Sequence, residues 1–164
     1  MWTNLDRYQK TLILALSLGI SSSILILNFQ SAFSQNEISY LDVNSTSTAQ
    51  LSKFSVAAWF KTSTDYNSNA FIVNKAGASD NLNYAILMTN AEKVVAGFET
   101  CSGNAIFATS PLSYSDGKWH YVAVTFDRSD LNLYVDGVLV DTKKTSASPD
   151  NGGDNPVRVG ADSG

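Results

Sequence analysis

Polar and apolar residues alternate with a period of two along most of residues 38–160, and no stretch keeps apolar residues at i, i+3, i+4 and i+7 for three turns. A period of two sends successive side chains to opposite faces of a strand, so this region is predicted to be all-β. In residues 53–61, Phe54, Val56, Ala58 and Phe60 share one face, while Ser55, Ala57 and Trp59 share the other. Similar runs at 38–43, 70–75, 83–89, 92–98, 104–109, 119–127, 131–135, 138–142 and 156–160 bring the total to ten short strands separated by turn-forming residues. Within 119–127, Trp119, Tyr121 and Ala123 face one way and Val122, Val124 and Phe126 the other, so both sides are apolar and the strand belongs in the middle of a sheet. Leu131, Leu133 and Val135 form a one-sided apolar face opposite Asn132 and Tyr134. Between LNLYV and VLVDT stands Asp136-Gly137, which suits a type I′ turn because both central residues need positive φ. The expected architecture is an antiparallel two-sheet β-sandwich.

The first 34 residues follow a different pattern. Residues 12–29 (LILALSLGISSSILILNF) are eighteen positions without a charge, preceded by Arg7 and Lys10 and followed by small residues at Ala32 and Ser34. That order predicts an N-terminal hydrophobic signal helix, cleaved after Ser34. The alternative is a retained membrane anchor over 1–34, since eighteen residues at about 1.5 Å each reach about 27 Å, just short of a hydrocarbon core of about 30 Å. Either form places residues 35–164 outside the cytoplasm as a secreted or cell-surface domain. Membrane contact is then confined to the N-terminal segment, if uncleaved.

Composition narrows the function classes. The chain has 164 residues, 16% charged, with a formal net charge of −4 and no run of Lys or Arg. It therefore lacks the basic stripe that neutralises phosphates, and nucleic-acid binding is disfavoured. One Cys and one His supply neither an ordinary zinc site nor an internal disulfide, so packing must hold the domain together and Cys101 is a lone thiol.

Five segments, FSVAAWF (54–60), NYAILM (83–88), DGKWHYVAVTFD (116–127), LNLYVDGVLV (131–140) and PVRVGA (156–161), carry a family likeness in their order and spacing. The chain resembles the laminin G-like, concanavalin A-like lectin/glucanase jelly-roll domains over nearly all of residues 35–164. The resemblance implies a jelly-roll β-sandwich with a concave face, a non-catalytic role in binding glycans or protein partners, and Ca²⁺ near a loop rim. It also implies a further hairpin after a segment like PVRVGA. The domain is accordingly expected to be incomplete at its C-terminus, with a vacant sheet position and an exposed edge beside ISYLDV.

Catalysis finds little support in the residues. A retaining glycosidase needs two carboxylates about 5 to 5.5 Å apart, and no strand here carries acidic residues at i and i+2 or i and i+4. His120 lies in an apolar strand with no Ser or Cys nucleophile motif beside it, which suits a packed histidine. For a metal, Asp80 with Asn81 and Asn83, or Asp150 with Asn151, Asp154 and Asn155, offer the oxygens calcium prefers. The same residues also suit solvated Asx-turns. The resemblance implies an acidic ligand just before the NYAILM strand, where this chain has Asn83, with Asp80 nearby; these two are the candidate Ca²⁺ ligands. A sugar's C–H face packs on aromatic rings, which selects Trp59, Tyr66 and Tyr84, with Asn67 beside Tyr66, as ligand-binding candidates and Tyr114 as a further aromatic. The function expected is an exported, non-catalytic module binding glycan or an extracellular protein. The alternatives are a structural adhesion unit of a larger surface protein and a glycoside hydrolase on the same fold.

Overall fold

The computed structural model describes residues 14–16, 40–44, 51–63, 67–79 and 81–160. Its strands are β1 (Leu14–Leu16), β2 (Leu41–Val43), β3 (Phe54–Lys61), β4 (Ala70–Ala76), β5 (Leu82–Met88), β6 (Lys93–Glu99), β7 (Ala105–Ser113), β8 (Trp119–Phe126), β9 (Asp130–Val135), β10 (Val138–Lys144) and β11 (Val157–Val159). All ten strands expected from the alternation are present. They form two antiparallel sheets, one in the order β1-β3-β8-β9-β10 and the other β2-β11-β4-β5-β6-β7. This is the predicted all-β, two-sheet jelly-roll sandwich.

The N-terminal hydrophobic segment departs from its expected form where it is described. Leu14–Leu16 is a short strand rather than part of a helix, and it pairs antiparallel with Val56–Ala58 of β3. That side of β3 is otherwise a sheet edge, whose open backbone donors and acceptors attract any extended segment that can pair. The remainder of the predicted signal helix, with its cleavage position, lies outside the described residues. At the far border of the other sheet stands β2, within the ISYLDV run.

The core forms where the inner faces of the sheets meet. Phe54, Val56, Ala58 and Phe60 of β3 and Val122, Val124 and Phe126 of β8 are buried, together with Leu131, Leu133 and Val135 of β9. From the opposite sheet come Val73, Tyr84, Ile86, Met88, Val94, Ala96 and Phe98. Rings interlock across the gap, with Phe98 4.7 Å from Phe126 and Phe54 5.7 Å from Tyr84, and within the sheet Phe54 lies 5.7 Å from Phe126. Removing a side chain of this size from such packing costs about 3–5 kcal/mol.

Two local devices shape the strands. Asp136 and Gly137 both have positive φ, 51° and 80°, as a type I′ turn requires. In β7 the strand runs on past 109 through Pro111, which has no N–H for the ladder and sits at a register shift opposite Lys93 and Val95. There the Ser110 hydroxyl accepts a hydrogen bond from the Val94 N–H at 3.0 Å and donates to the Leu112 carbonyl at 2.9 Å. A side chain thus stands in for the backbone pairing that the bulge interrupts.

His120 is the packed histidine expected, though not an apolar one. Its Nδ1 lies 2.8 Å from Asp136 and its Nε2 3.0 Å from Asp116, while Phe60 and Tyr114 flank the ring. Two carboxylate partners require both ring nitrogens to be donors, which is the imidazolium form. Burial works against that charge, but the hydrogen bonds the ring donates to Asp136 and Asp116 outweigh it and raise the His120 pKa above its ordinary value. Asp116 in turn is held well below the usual carboxylate range, first by Lys118 and then by His120. The clamp joins the turn before β8 to the β9–β10 hairpin.

Two outcomes follow from this packing. Because the His120 pKa is raised on folding, its stabilising contribution is complete below the unfolded value of about 6.5 and disappears as pH rises through the folded value. The urea midpoint is expected to fall over that alkaline-going range, and the fall should be absent in His120→Gln; an identical profile in both proteins would refute the clamp. A Cβ on Gly97 would come within 2.0 Å of the Ile106 carbonyl oxygen and 2.9 Å of the Phe107 Cα, both backbone atoms. Gly97→Ala should therefore lower stability by about 1–3 kcal/mol in a denaturant titration.

Candidate functional site

Inner positions of β3, β8 and β9 belong to the core, so the intervening positions line the outer face of the five-stranded sheet. The register places Lys61 opposite Trp119, Trp59 opposite Tyr121, Ala57 opposite Ala123 and Ser55 opposite Thr125. On the other side of β8, Ala123 pairs with Tyr134 and Thr125 with Asn132, and the hairpin carries the rows on to Leu139 and Thr142. Three kinds of surface result. Trp59 and Trp119 are each 42% exposed, and Trp59 meets the Tyr121 ring at 5.3 Å with an interplanar angle of 52°. Next to this tilted pair, Ala57 and Ala123 leave a low floor, with Tyr134 on its far side. Beyond it lies a polar row of Ser55, Thr125, Asn132 and Thr142, in which the Thr142 hydroxyl donates to Asn132 Oδ1 at 2.8 Å.

A face with an aromatic pair, two alanines and a row of hydroxyls and an amide is suited to a small polyhydroxylated ligand. Rings pack against C–H faces, and the rim exchanges hydrogen bonds with hydroxyls. The face carries a carboxylate at its polar end, Asp130, two residues before Asn132 and paired with Lys144 at 2.9 Å. An open cavity of about 310 Å³ lies elsewhere, lined by Ala105, Ile106, Phe107, Lys143, Lys144 and Thr145. Its lysines are already paired, Lys143 with Asp141 at 3.1 Å and Lys144 with Asp130 at 2.9 Å. It therefore offers less unengaged recognition chemistry than the aromatic face.

The structure divides the residues singled out from the sequence. Trp59 is on the exposed face. Tyr66 and Asp80 lie outside the described residues, while Asn67 is exposed in the loop after β3. Tyr84 must be corrected: its strand register turns it inward, opposite Lys75, and its side chain is 0% exposed against Phe54. Its hydroxyl is buried without a hydrogen-bond partner among the described residues, and burial raises its pKa. A ligand cannot reach it.

Asn83 also has a structural role. Its Oδ1 accepts from the Leu51 N–H at 3.0 Å, and its Nδ2 lies 2.9 Å from the Asp150 carbonyl, 2.8 Å from Asn151 Oδ1 and 3.2 Å from the Leu51 carbonyl. Among the described residues no group of three or more His, Cys, Asp or Glu converges on one point. These donors do not fit a calcium ion, which takes six to eight oxygens. Tyr114 packs edge-on against His120 at 4.9 Å, supporting the clamp.

Trp119, Tyr121 and Tyr134 were not selected from the sequence as ligand-binding residues. Their alternation opposite a core face was readable, but which of them stands beside Trp59 depends on the β3–β8 register. Lacking that register, a solvent-facing aromatic looks the same as one packed beneath a loop.

With the geometry established, residues 35–164 match the family model of the concanavalin A-like lectin/glucanases superfamily. Among solved structures, the chain is similar to the binding domain of Paraclostridial Mosquitocidal Protein 1, at 17% identity and a TM-score of 0.64, over 76% of this chain and 34% of that one. It is similar to the Ruminococcus gnavus IT-sialidase CBM40 bound to alpha2,3 sialyllactose, at 17% identity and a TM-score of 0.56, over 76% and 80% of the two chains. A third likeness is to domains LG4-5 of the mouse laminin alpha1 chain, at 15% identity and a TM-score of 0.56, over 77% and 33%. At these identities the likeness concerns the fold, and the chain spans about a third of the length of the first and third structures. No curated protein matches the chain.

Side-chain exposure separates binding from folding residues in a measurable way. Trp59→Ala should leave the melting temperature almost unchanged, because the ring lies on the outer face. Tyr84→Phe removes a buried hydroxyl that has no partner, so it should be neutral or stabilise by up to about 1 kcal/mol. A large loss for Tyr84→Phe would mean that the hydroxyl has a role the packing does not reveal.

Proposed function

The chain belongs to the concanavalin A-like lectin/glucanases superfamily, and on that premise we propose that it is an exported, non-catalytic module that binds glycan on the outer face of its five-stranded sheet. The observation that carries this reading is exposed Trp59 against half-buried Tyr121, beside the Ala57–Ala123 floor and the Ser55–Thr125–Asn132 rim. Export is supported by the uncharged run at 12–29. Glycan as the ligand is supported by the likeness to a CBM40 solved with sialyllactose. The lack of a carboxylate pair on the face favours binding over hydrolysis, since both acid and nucleophile would have to come from it.

The charges that these registers place on the face are Lys61 and the mutually balanced Asp130–Lys144 pair, so neutral oligosaccharides are the favoured class. An extracellular protein is the second reading, favoured by Val138 and Leu139, which are exposed at the tip of the β9–β10 hairpin.

A glycan array followed by titration of the strongest ligand tests the first reading. Trp59→Ala and Tyr121→Ala should each weaken binding at least about tenfold, the loss expected when a stacking contact worth about 1.4 kcal/mol is removed. Full affinity in both variants would exclude this face. An empty array together with a pulled-down protein partner whose binding depends on Val138 and Leu139 would favour the second reading.

A further inference from the structure

At one end of the sandwich, residues 145–155 cross the β4–β5 connection and bury opposite charges. Lys75 occupies a core-facing position on β4 opposite Tyr84, wholly buried, and its Nζ donates to the Ala76 carbonyl at 2.9 Å. Asp150 is equally buried. Its Oδ2 accepts from the Ser79 N–H at 3.0 Å, its N–H donates to the Glu99 carbonyl at 2.7 Å, and its carbonyl accepts from Asn83. Asp150 Oδ1 is buried with no hydrogen-bond partner among the described residues. The backbones approach so closely that a Cβ on Gly77 would lie 2.4 Å from the Asp150 carbonyl oxygen. Asn155 closes the same junction by donating to the Gly77 carbonyl at 3.0 Å.

An ionised carboxylate removed from water needs a nearby positive charge, because the desolvation cost is otherwise uncompensated. Two sources are available: a divalent ion of the sort the family resemblance implies, or a side chain. The described donors do not fit the ion, since Asn83 has both side-chain ends engaged and no carboxylate cluster converges here. A side-chain cation is already inside. Burial lowers the Lys75 pKa, while the fields of Asp154 and Asp150 act to keep the amine charged.

We infer that the Lys75 ammonium is the resident cation of this junction, balancing Asp150 and Asp154 and holding residues 145–155 against the β4–β5 connection without a divalent metal. No ion pair within 4 Å links Lys75 to either carboxylate; with buried Asp150 the interaction acts through the low-dielectric interior, whereas exposed Asp154 acts at longer range through water-screened surroundings. It is independent of the glycan reading.

The test combines calcium titration with a double-mutant cycle on the full chain. The melting temperature of the unaltered protein should be the same in excess EDTA and excess CaCl₂. A calcium-induced rise of several degrees, as expected for a site filled to about 100 times its Kd, would overturn the inference. Lys75→Met and Asp150→Asn should each lower the melting temperature, and the double variant should lose clearly less than the two losses together. Strict additivity would also overturn it. If Lys75→Met fails to fold, recovery of a folded protein on adding Asp150→Asn supports the inference, and failure of both leaves the calcium titration to decide it.

Discussion

Antiparallel pairing of Phe54–Lys61 with Trp119–Phe126 sends alternate residues of both strands to opposite sides, so one register sets the inner and outer surfaces together. On the inner side it aligns Phe54 with Phe126 and Val56 with Val124, against which Phe98 and Tyr84 pack. On the outer side it places Trp59 beside Tyr121 and leaves the two alanines between the aromatic and polar rows. A slip of one residue would carry the aromatic face into the core and the core phenylalanines into water. The hydrophobic cost of that exchange makes the position of the aromatic face as secure as the fold itself.

Much of the fold was readable because strand alternation and turn chemistry are local. The two-sided apolar pattern of Trp119–Phe126 put β8 in the sheet interior, where it lies between β3 and β9. Asp136-Gly137 announced a hairpin whose φ values agree. The misreadings arose where a distant partner decides the outcome. Tyr84 follows Asn83 in a polar stretch and looked accessible, yet its pairing with Lys75 turns it into the core. Asn83 looked like a metal ligand because it is an oxygen donor beside Asp80, but its contacts run to Leu51 and to Asp150 and Asn151, far along the chain. Nor did Leu14–Leu16, an uncharged triplet in an apolar run, show in sequence that it would meet β3.

The two buried polar assemblies solve the same problem in different ways. His120 carries its charge between two partly exposed carboxylates, with water close enough to screen both. Lys75 is wholly buried, where screening is weak and one missing partner would matter more. Each joins segments that are distant in sequence. Such ties add specificity to a core whose apolar contacts alone would tolerate several arrangements.

Strand order also bears on how the chain reaches this state. In each sheet a run of consecutive strands, β4 to β7 in one and β8 to β10 in the other, is joined neighbour to neighbour by hairpins. These two meanders need only short loops to close. The pairings of β3 with β8 and of β11 with β4 instead unite remote parts of the chain, and the entropy of ordering the intervening segments falls on them. The aromatic face spans one of those late seams, with Trp59 on one side and Tyr121 on the other. The aromatic face therefore depends on the seam that closes last, and a chain that has formed both meanders but not joined them has Trp59 and Tyr121 apart.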